Sequence, residues 1–177
     1  MPVTAGGDKE PTMTETDKPA PPPTTFQISL FARWPDMDFN QHMRNAAYLG
    51  ASEDCRMSFL AKNGFTMDEF QRRALGPVVL EDKLVYKKEL KLLEKFSVEL
   101  ALLAMTRDGR RFKVRNTFRR EPDGAEVAVV ESVILWFDLR ERRPVVPPAE
   151  LRELWLALPH CSDFEWYPEK AAGSTAG

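Results

Sequence analysis

The stretch that decides the fold is Trp34-Pro35-Asp36-Met37-Asp38-Phe39-Asn40-Gln41-His42-Met43-Arg44-Asn45-Ala46-Ala47-Tyr48. Its first half, through Gln41, is dense in turn formers and reads as a loop. Its second half opens a helix. Asn45 is a residue type that caps helix starts, the helical body runs from Ala46 to Lys62, and Asn63-Gly64 supplies the left-handed residue that ends it. The side of this helix expected to be buried mixes Tyr48, Phe59 and Leu60 with Ala47, Gly50, Ala51, Ser52 and Cys55. Small residues let another surface approach the helix axis closely, which suits a helix enclosed by a sheet better than one lying outside it.

Upstream, Phe26 to Arg33 alternates apolar and polar residues and predicts a first strand. Downstream, Phe70 to Arg73 reads as a further helical turn, and strand follows strand from there. Val78 to Leu90 is rich in β-branched and aromatic residues. Phe96, Val98, Leu100, Leu102 and Ala104 share one face of the next strand, with Ser97 and Glu99 on the other. Asp108-Gly109 is the pair of a tight hairpin. Beyond it Phe112, Val114 and Phe118 alternate with Lys113, Arg115, Thr117 and Arg119. Pro122-Asp123-Gly124 makes a second turn. Val127 to Leu139 is apolar on both faces, as a covered central strand would be. Pro147 to Leu158 reads as a closing helix with proline in its first turn. The order predicts an α+β domain, a long central helix packed on a curved antiparallel sheet of about five strands.

Composition bounds what such a domain does. At 177 residues with 43% hydrophobic and 29% charged residues, the chain has the make-up of one soluble globular domain. A net charge of −2 provides no global basic field for nucleic acid or an anionic membrane. Two cysteines, Cys55 and Cys161, build no disulfide framework and no C-x-x-C pair, which fits a reducing cytoplasm. No apolar run reaches the roughly 18–20 residues of a membrane span, and the first residues lack the order of a signal peptide. Residues 1–25 are dominated by proline, threonine and charge and are expected to form a disordered leader with a short polyproline segment, Pro21 to Pro23. The folded body is expected over 26–168 and a flexible tail over 169–177.

The loop before the helix carries the chemistry, and three readings compete for it. Asp36, Asn40 and Asn45 suit turns and caps, with His42 a packing residue. Asp36, Asp38 and His42 also make a set of oxygen and nitrogen donors for a divalent cation, but His160 is the only other histidine and no further ligand cluster accompanies them. In the third reading a carboxylate acts beside a helix N-terminus, where free N–H groups and the positive end of the helix dipole polarise a carbonyl oxygen.

In element order and in this loop the chain resembles the hot-dog-fold acyl-CoA thioesterases of the 4-hydroxybenzoyl-CoA thioesterase type, over roughly Phe26 to Leu139. Their signature runs D-x-D-x-x-G-H-x-N-N-x-x-Y into a long central helix, and Asp36, Asp38, His42, Asn45 and Tyr48 fall in register with it. Gln41 stands in place of the usual glycine and Arg44 in place of a frequent asparagine. The resemblance implies that Asp38 is the catalytic carboxylate, that the Asn45 backbone amide binds the thioester carbonyl, and that His42 and Tyr48 contact substrate. It implies no metal and no cofactor, coenzyme A entering only as part of the substrate. It implies a homodimer or homotetramer with pockets between subunits. A second branch of these enzymes uses a helix glutamate, which makes Glu53 the alternative catalytic residue.

Three further points belong to the same reading. The basic stretch Arg107, Arg110, Arg111, Lys113, Arg115, Arg119 and Arg120 is either a solvated strand face or, in part, a phosphate-binding surface for coenzyme A. A hot-dog hydratase, with signature D-x-N-x-x-H, matches Asp38 and Asn40 but meets Met43 where its histidine belongs. A catalytically silent acyl-thioester-binding protein on the same fold is the alternative from outside enzymes.

Overall fold

The computed structural model describes residues 25–121 and 123–168. Apart from Thr25, the expected leader with Pro21 to Pro23 lies outside the described residues, as do Pro122 of the second turn and the tail at 169–177. In chain order the elements are β1 (Phe26–Phe31), a 3-10 turn (Trp34–Asp36), α1 (Asn45–Lys62), α2 (Met67–Arg73), β2 (Leu75–Tyr86), β3 (Lys95–Met105), β4 (Arg111–Arg120), β5 (Glu126–Asp138), β6 (Arg143–Pro144), α3 (Ala149–Leu156) and β7 (His160–Trp166). The sheet order is β1-β3-β4-β5-β2, antiparallel throughout, with β6 added to β5 and β7 lying parallel to the end of β3. This is the α+β arrangement the pattern predicts, with two short strands in addition.

The alternation read in β4 is observed. Phe112, Val114 and Phe118 are buried, while Lys113, Arg115, Thr117 and Arg119 lie on the other, half-buried face. In β5 Val133 and Ile134 are both buried, so the middle of that strand is covered on both faces. Helix α1 packs against β1, β2, β3 and β5. Its buried face holds Tyr48, Ala51, Ser52, Cys55, Phe59 and Leu60 as expected, with Ala47 and Gly50 half-buried. The small residues bring the helix so near the sheet that the Cys55 thiol donates to the Val98 carbonyl at 3.4 Å. Helix α3 closes the far end, Trp155 lying 4.6 Å from Phe112 and 5.2 Å from Phe59 between ring centroids. Trp136 joins the same cluster, 5.6 Å from Phe112. Trp166 packs against the edge of the core, under the Arg107 guanidinium at 4.1 Å.

Several limits differ from the pattern, among them the end of β2, which stops at Tyr86 and not at Leu90. Asn45 is the first helical residue, not the cap; Arg44 is the cap, held extended by its N–H bond to the Asp36 carbonyl at 2.8 Å. Strand β2 begins at Leu75, running through Gly76 and Pro77, because its outer edge has no partner strand among the described residues and tolerates proline. The helical turn near Phe70 is a full helix capped by the Thr66 hydroxyl, which accepts from the Glu69 N–H at 3.4 Å. Strand β7 has only three registered pairs to β3, and its sequence carries too little alternation to announce it.

The helix end behaves as read. Gly64 sits at φ +87°, its N–H bonds the Ala61 carbonyl at 3.1 Å, and the Phe65 N–H bonds the Leu60 carbonyl at 2.9 Å. That double bond pattern requires a left-handed residue between. A Cβ at position 64 meets no atom within 4 Å, so Gly64→Ala costs only backbone strain. The expected loss is about 1 kcal/mol in urea unfolding, with an unchanged slope; no loss would show that the turn can re-form without a left-handed residue.

Candidate active site

The loop between β1 and α1 is tied down at its base by Asp36. The Asp36 carboxylate accepts three bonds from Arg33: from Nε and Nη2, each at 2.9 Å, and from the backbone N–H at 2.8 Å. These bonds, against the opposing effect of burial, hold the Asp36 carboxyl below the usual carboxylate range. The top of the loop is tied to the sheet, where the Met43 N–H donates to the Leu90 carbonyl at 2.8 Å and His42 bridges to Lys91.

Asp38 is exposed between these two anchors. Its Oδ1 accepts from the N–H groups of Asn40 at 2.8 Å and His42 at 3.0 Å, and its own N–H donates to the His42 carbonyl at 2.8 Å. These bonds orient the side chain from within the loop, and among the described residues no hydrogen bond uses its Oδ2. The turn is tight enough to force Gln41 to φ +64°, which explains why the resembling signature carries glycine there. Gln41 accepts the strain as a longer side chain pointing to the exterior of the turn, where it is exposed.

At the helix start the Arg44 carbonyl accepts from Ala47 and Tyr48, and the Asn45 side chain accepts the Ala46 N–H at 2.8 Å. No hydrogen bond among the described residues uses the Asn45 N–H. Asp38, His42, Asn45 and Tyr48 all line one cleft of about 600 Å³, together with Tyr86 and Lys88 at the end of β2. A second hollow of about 670 Å³ shares Asp38 and His42 from the opposite side, so the loop is a ridge between two depressions. Tyr48 forms the floor of the cleft. Its ring is 5.6 Å from Tyr86 and 5.2 Å from Phe118, and burial pushes its phenol up to about 12, keeping it neutral and a proton donor.

Glu53 is not part of this cleft; it stands farther along α1 at a separate cavity. The cation reading loses its donor set, since Asp36 is committed to Arg33 and no cluster of three metal-binding side chains exists among the described residues. Met43, in the hydratase histidine position, is buried. Much of the basic stretch is paired: Arg115 with Glu131 and Asp163, Lys113 with Glu131, Arg119 with Glu99, and Arg120 with Asp123. Arg107 and Arg111 lie over the rings of Trp166 and Tyr167. The residues that pattern reading misses are Tyr86, Lys87 and Lys88, placed at the cleft only by the β2–β5 ladder, and Arg33, whose spacing of three from Asp36 was a readable sign.

Residues 32–154 match the thioesterase-like superfamily. The chain belongs to that family. Its members' hot-dog fold is the architecture described above, and solved structures share it. A hypothetical protein from Staphylococcus aureus solved in complex with CoA is 22% identical, with a TM-score of 0.71 over 90% of this chain and 99% of that one. A 1,4-dihydroxy-2-naphthoyl-CoA thioesterase from Synechocystis is 12% identical, with a TM-score of 0.67 over 75% and 96%. The probable thioesterase YbaW from Escherichia coli is 22% identical, with a TM-score of 0.64 over 75% and 98%. No curated protein matches the chain. No helix among the described residues is long and apolar enough to cross a membrane.

In this thioesterase-like domain the Arg33–Asp36 pair makes stability depend on acid. A folded-state pKa below the unfolded one contributes stability above the ordinary carboxylate value, about 4, and loses it as pH falls through the lowered folded value. Asp36→Asn is therefore expected to unfold at lower denaturant than the wild type at neutral pH, with the gap closing in acid. A gap that stays constant down to about pH 3 would assign the loss to packing alone.

Proposed function

We propose that this protein hydrolyses acyl-CoA thioesters to the free acid and coenzyme A, in the manner of the 4-hydroxybenzoyl-CoA thioesterase type. The observation that carries the reading is the single cleft lined by the Asp38 carboxylate and the Asn45 helix start. A thioester is activated relative to an amide, so a carboxylate facing its carbonyl carbon suffices without a metal or a Ser-His-Asp triad. Asp38 either attacks that carbon, expelling the CoA thiolate and leaving an anhydride that water opens, or removes a proton from the attacking water. Both routes consume one water and release one acid and one thiol. The Asn45 N–H and the helix dipole bind the oxyanion, a donor of the kind worth about 3 kcal/mol in other enzymes. His42 and Tyr48 shape the cleft around the acyl carbonyl, and Arg44 and Lys88 put two cations on its wall for the CoA phosphates.

The functional unit in this reading is a homodimer or a dimer of dimers. The free edge of β2 exposes Val78, Val79, Leu80, Val85 and Tyr86, a long apolar edge strand of the sort that a second copy covers. Light scattering is expected to return two or four times the 20.2 kDa chain mass; a monomer would remove this part of the proposal.

Thiol release from a panel of acyl-CoAs tests the activity. Asp38→Asn is expected to lower turnover by at least a hundredfold while melting temperature and mass are kept. Turnover retained in that variant would overturn the assignment of Asp38, and Glu53→Gln would then be the next variant to measure. Coenzyme A binding with no thiol released from any thioester would favour the silent binding protein.

A further inference from the structure

The loop that carries Asp38 separates two depressions that share Asp38 and His42. A thioester whose carbonyl carbon faces Asp38 sends its sulfur one way and its acyl chain another, so each depression has one half of the substrate to hold. The cleft at the helix start carries Arg44, Lys87 and Lys88 against one further carboxylate, Glu89, which suits the coenzyme phosphates. The second hollow, of about 670 Å³, has Trp34, Pro35, Met37 and Leu92 for its apolar surface and lies in the size range of a small-molecule pocket. Its other groups, Asn40, Gln41 and Lys91, are exposed, and Lys91 is its one lysine or arginine. Asp38 is exposed and His42 half-buried, so an acyl chain crosses from one side to the other over open surface.

Most of the large apolar side chains left exposed among the described residues fall into two groups. One is the edge of β2, which the proposed second copy covers. The other surrounds the second hollow: Phe31, Trp34, Phe39, Leu92 and Leu93. The end of β1 and the connection after β2 bring these together, since the Leu93 N–H donates to the Ala32 carbonyl at 2.8 Å and the Ala32 N–H to the Glu94 carbonyl at 2.9 Å. Trp34 is 78% exposed, although an indole carries one of the largest apolar surfaces a protein can bury. Leu93 is 68% exposed and held at φ +66°, at the third position of a turn that the Glu94 N–H closes on the Lys91 carbonyl at 3.1 Å. Glycine or asparagine is the usual residue where a turn needs positive φ, and a leucine there is strained. The folded chain by itself gains nothing from apolar side chains held out in water on strained backbone. An apolar ligand lying against them supplies the missing contact.

We propose that the second hollow is the acyl subsite and that the preferred substrates are CoA thioesters of extended aliphatic acids, with Trp34 and Leu93 setting the preference for chain length. The inference rests on the thioesterase reading above and adds the substrate class to it. Phe31 and Leu93 continue the apolar surface beyond Leu92, so a chain that reaches past Trp34 still finds cover. A short acyl group or a single ring leaves those side chains in water.

The test compares thiol release from butyryl-, hexanoyl-, octanoyl- and decanoyl-CoA, with benzoyl-CoA as the single-ring case. A buried methylene is worth roughly fourfold in binding, and about twofold where an open surface covers half of it, so kcat/KM is expected to rise about sixtyfold from butyryl- to decanoyl-CoA. Trp34→Ala is expected to lower that ratio about fivefold or more, with melting temperature and mass unchanged. Leu93→Gly relieves the backbone and is expected to lower the ratio while keeping the melting temperature. Rates that do not grow with chain length, or benzoyl-CoA turned over faster than decanoyl-CoA, would overturn the substrate class. A ratio untouched in either variant would remove the role given to that residue, and a Trp34→Ala variant of half the wild-type mass would assign the patch to a second copy instead. A binding arm needs no turnover. Trp136 and Trp155 are buried and Trp166 is half-buried, so Trp34 is the tryptophan that a ligand in the hollow covers. Saturating 1-decanol is expected to shift tryptophan emission to the blue in the wild type and not in Trp34→Phe; no shift in the wild type would count against the hollow. Release of no thiol from any thioester would sink the thioesterase reading, and the decanol arm would still decide the hollow.

Discussion

The structure depends on how the start of α1 is held against the sheet. Three backbone contacts set it: the Asp36 carbonyl with the Arg44 N–H, the Leu90 carbonyl with the Met43 N–H, and the bridge of His42 to Lys91. They join the end of β1, the first residues of the helix and the strand connection after β2 at one point. With that point fixed, the small residues Ala51, Ser52 and Cys55 let the helix lie deep in the curl of the sheet. The aromatic rings of Phe59, Phe112, Trp136 and Trp155 then close the far end. The cleft at the helix start exists because these ties leave Asp38 protruding between them.

Two aspartates two residues apart have opposite fates for electrostatic reasons. Asp36 spends both oxygens on Arg33 and becomes part of the loop's frame. Asp38 is held by backbone N–H groups at one oxygen, which orients it without neutralising it. The division suits a reactive group, since the rigid partner absorbs the cost of shaping the loop and the exposed one keeps a free edge. Farther along the helix, Ser52 satisfies itself on the Tyr48 carbonyl of its own helix at 3.0 Å, whereas Arg56 reaches across to the sheet and donates to the Ser132 hydroxyl at 3.0 Å.

Much of the fold was legible because it rests on local rules. The alternation of β4, the Asn63-Gly64 stop and the Asp108-Gly109 hairpin each follow from short-range sterics and from the two faces of a strand. In the loop, the register of Asp38, His42, Asn45 and Tyr48 was legible, and the structure brings these four to one cleft. The capping role given to Asn45 was not correct, because the Arg44 N–H is claimed by a carbonyl eight residues earlier and no rule of helix ends anticipates that. Strand β7 was missed because its pairing is parallel, brief and distant in sequence.

The sequence by itself determined the order of elements, the placement of a carboxylate loop ahead of a helix, and the buried face of that helix, since each depends on residues a few positions apart. The tertiary structure alone decided which carboxylate is spent and which is free, that Tyr86 and Lys88 complete the cleft, and that the buried Arg56 meets Ser132 of β5. Those outcomes depend on pairings across the sheet between residues dozens of positions apart, and spacing along the chain holds no record of them.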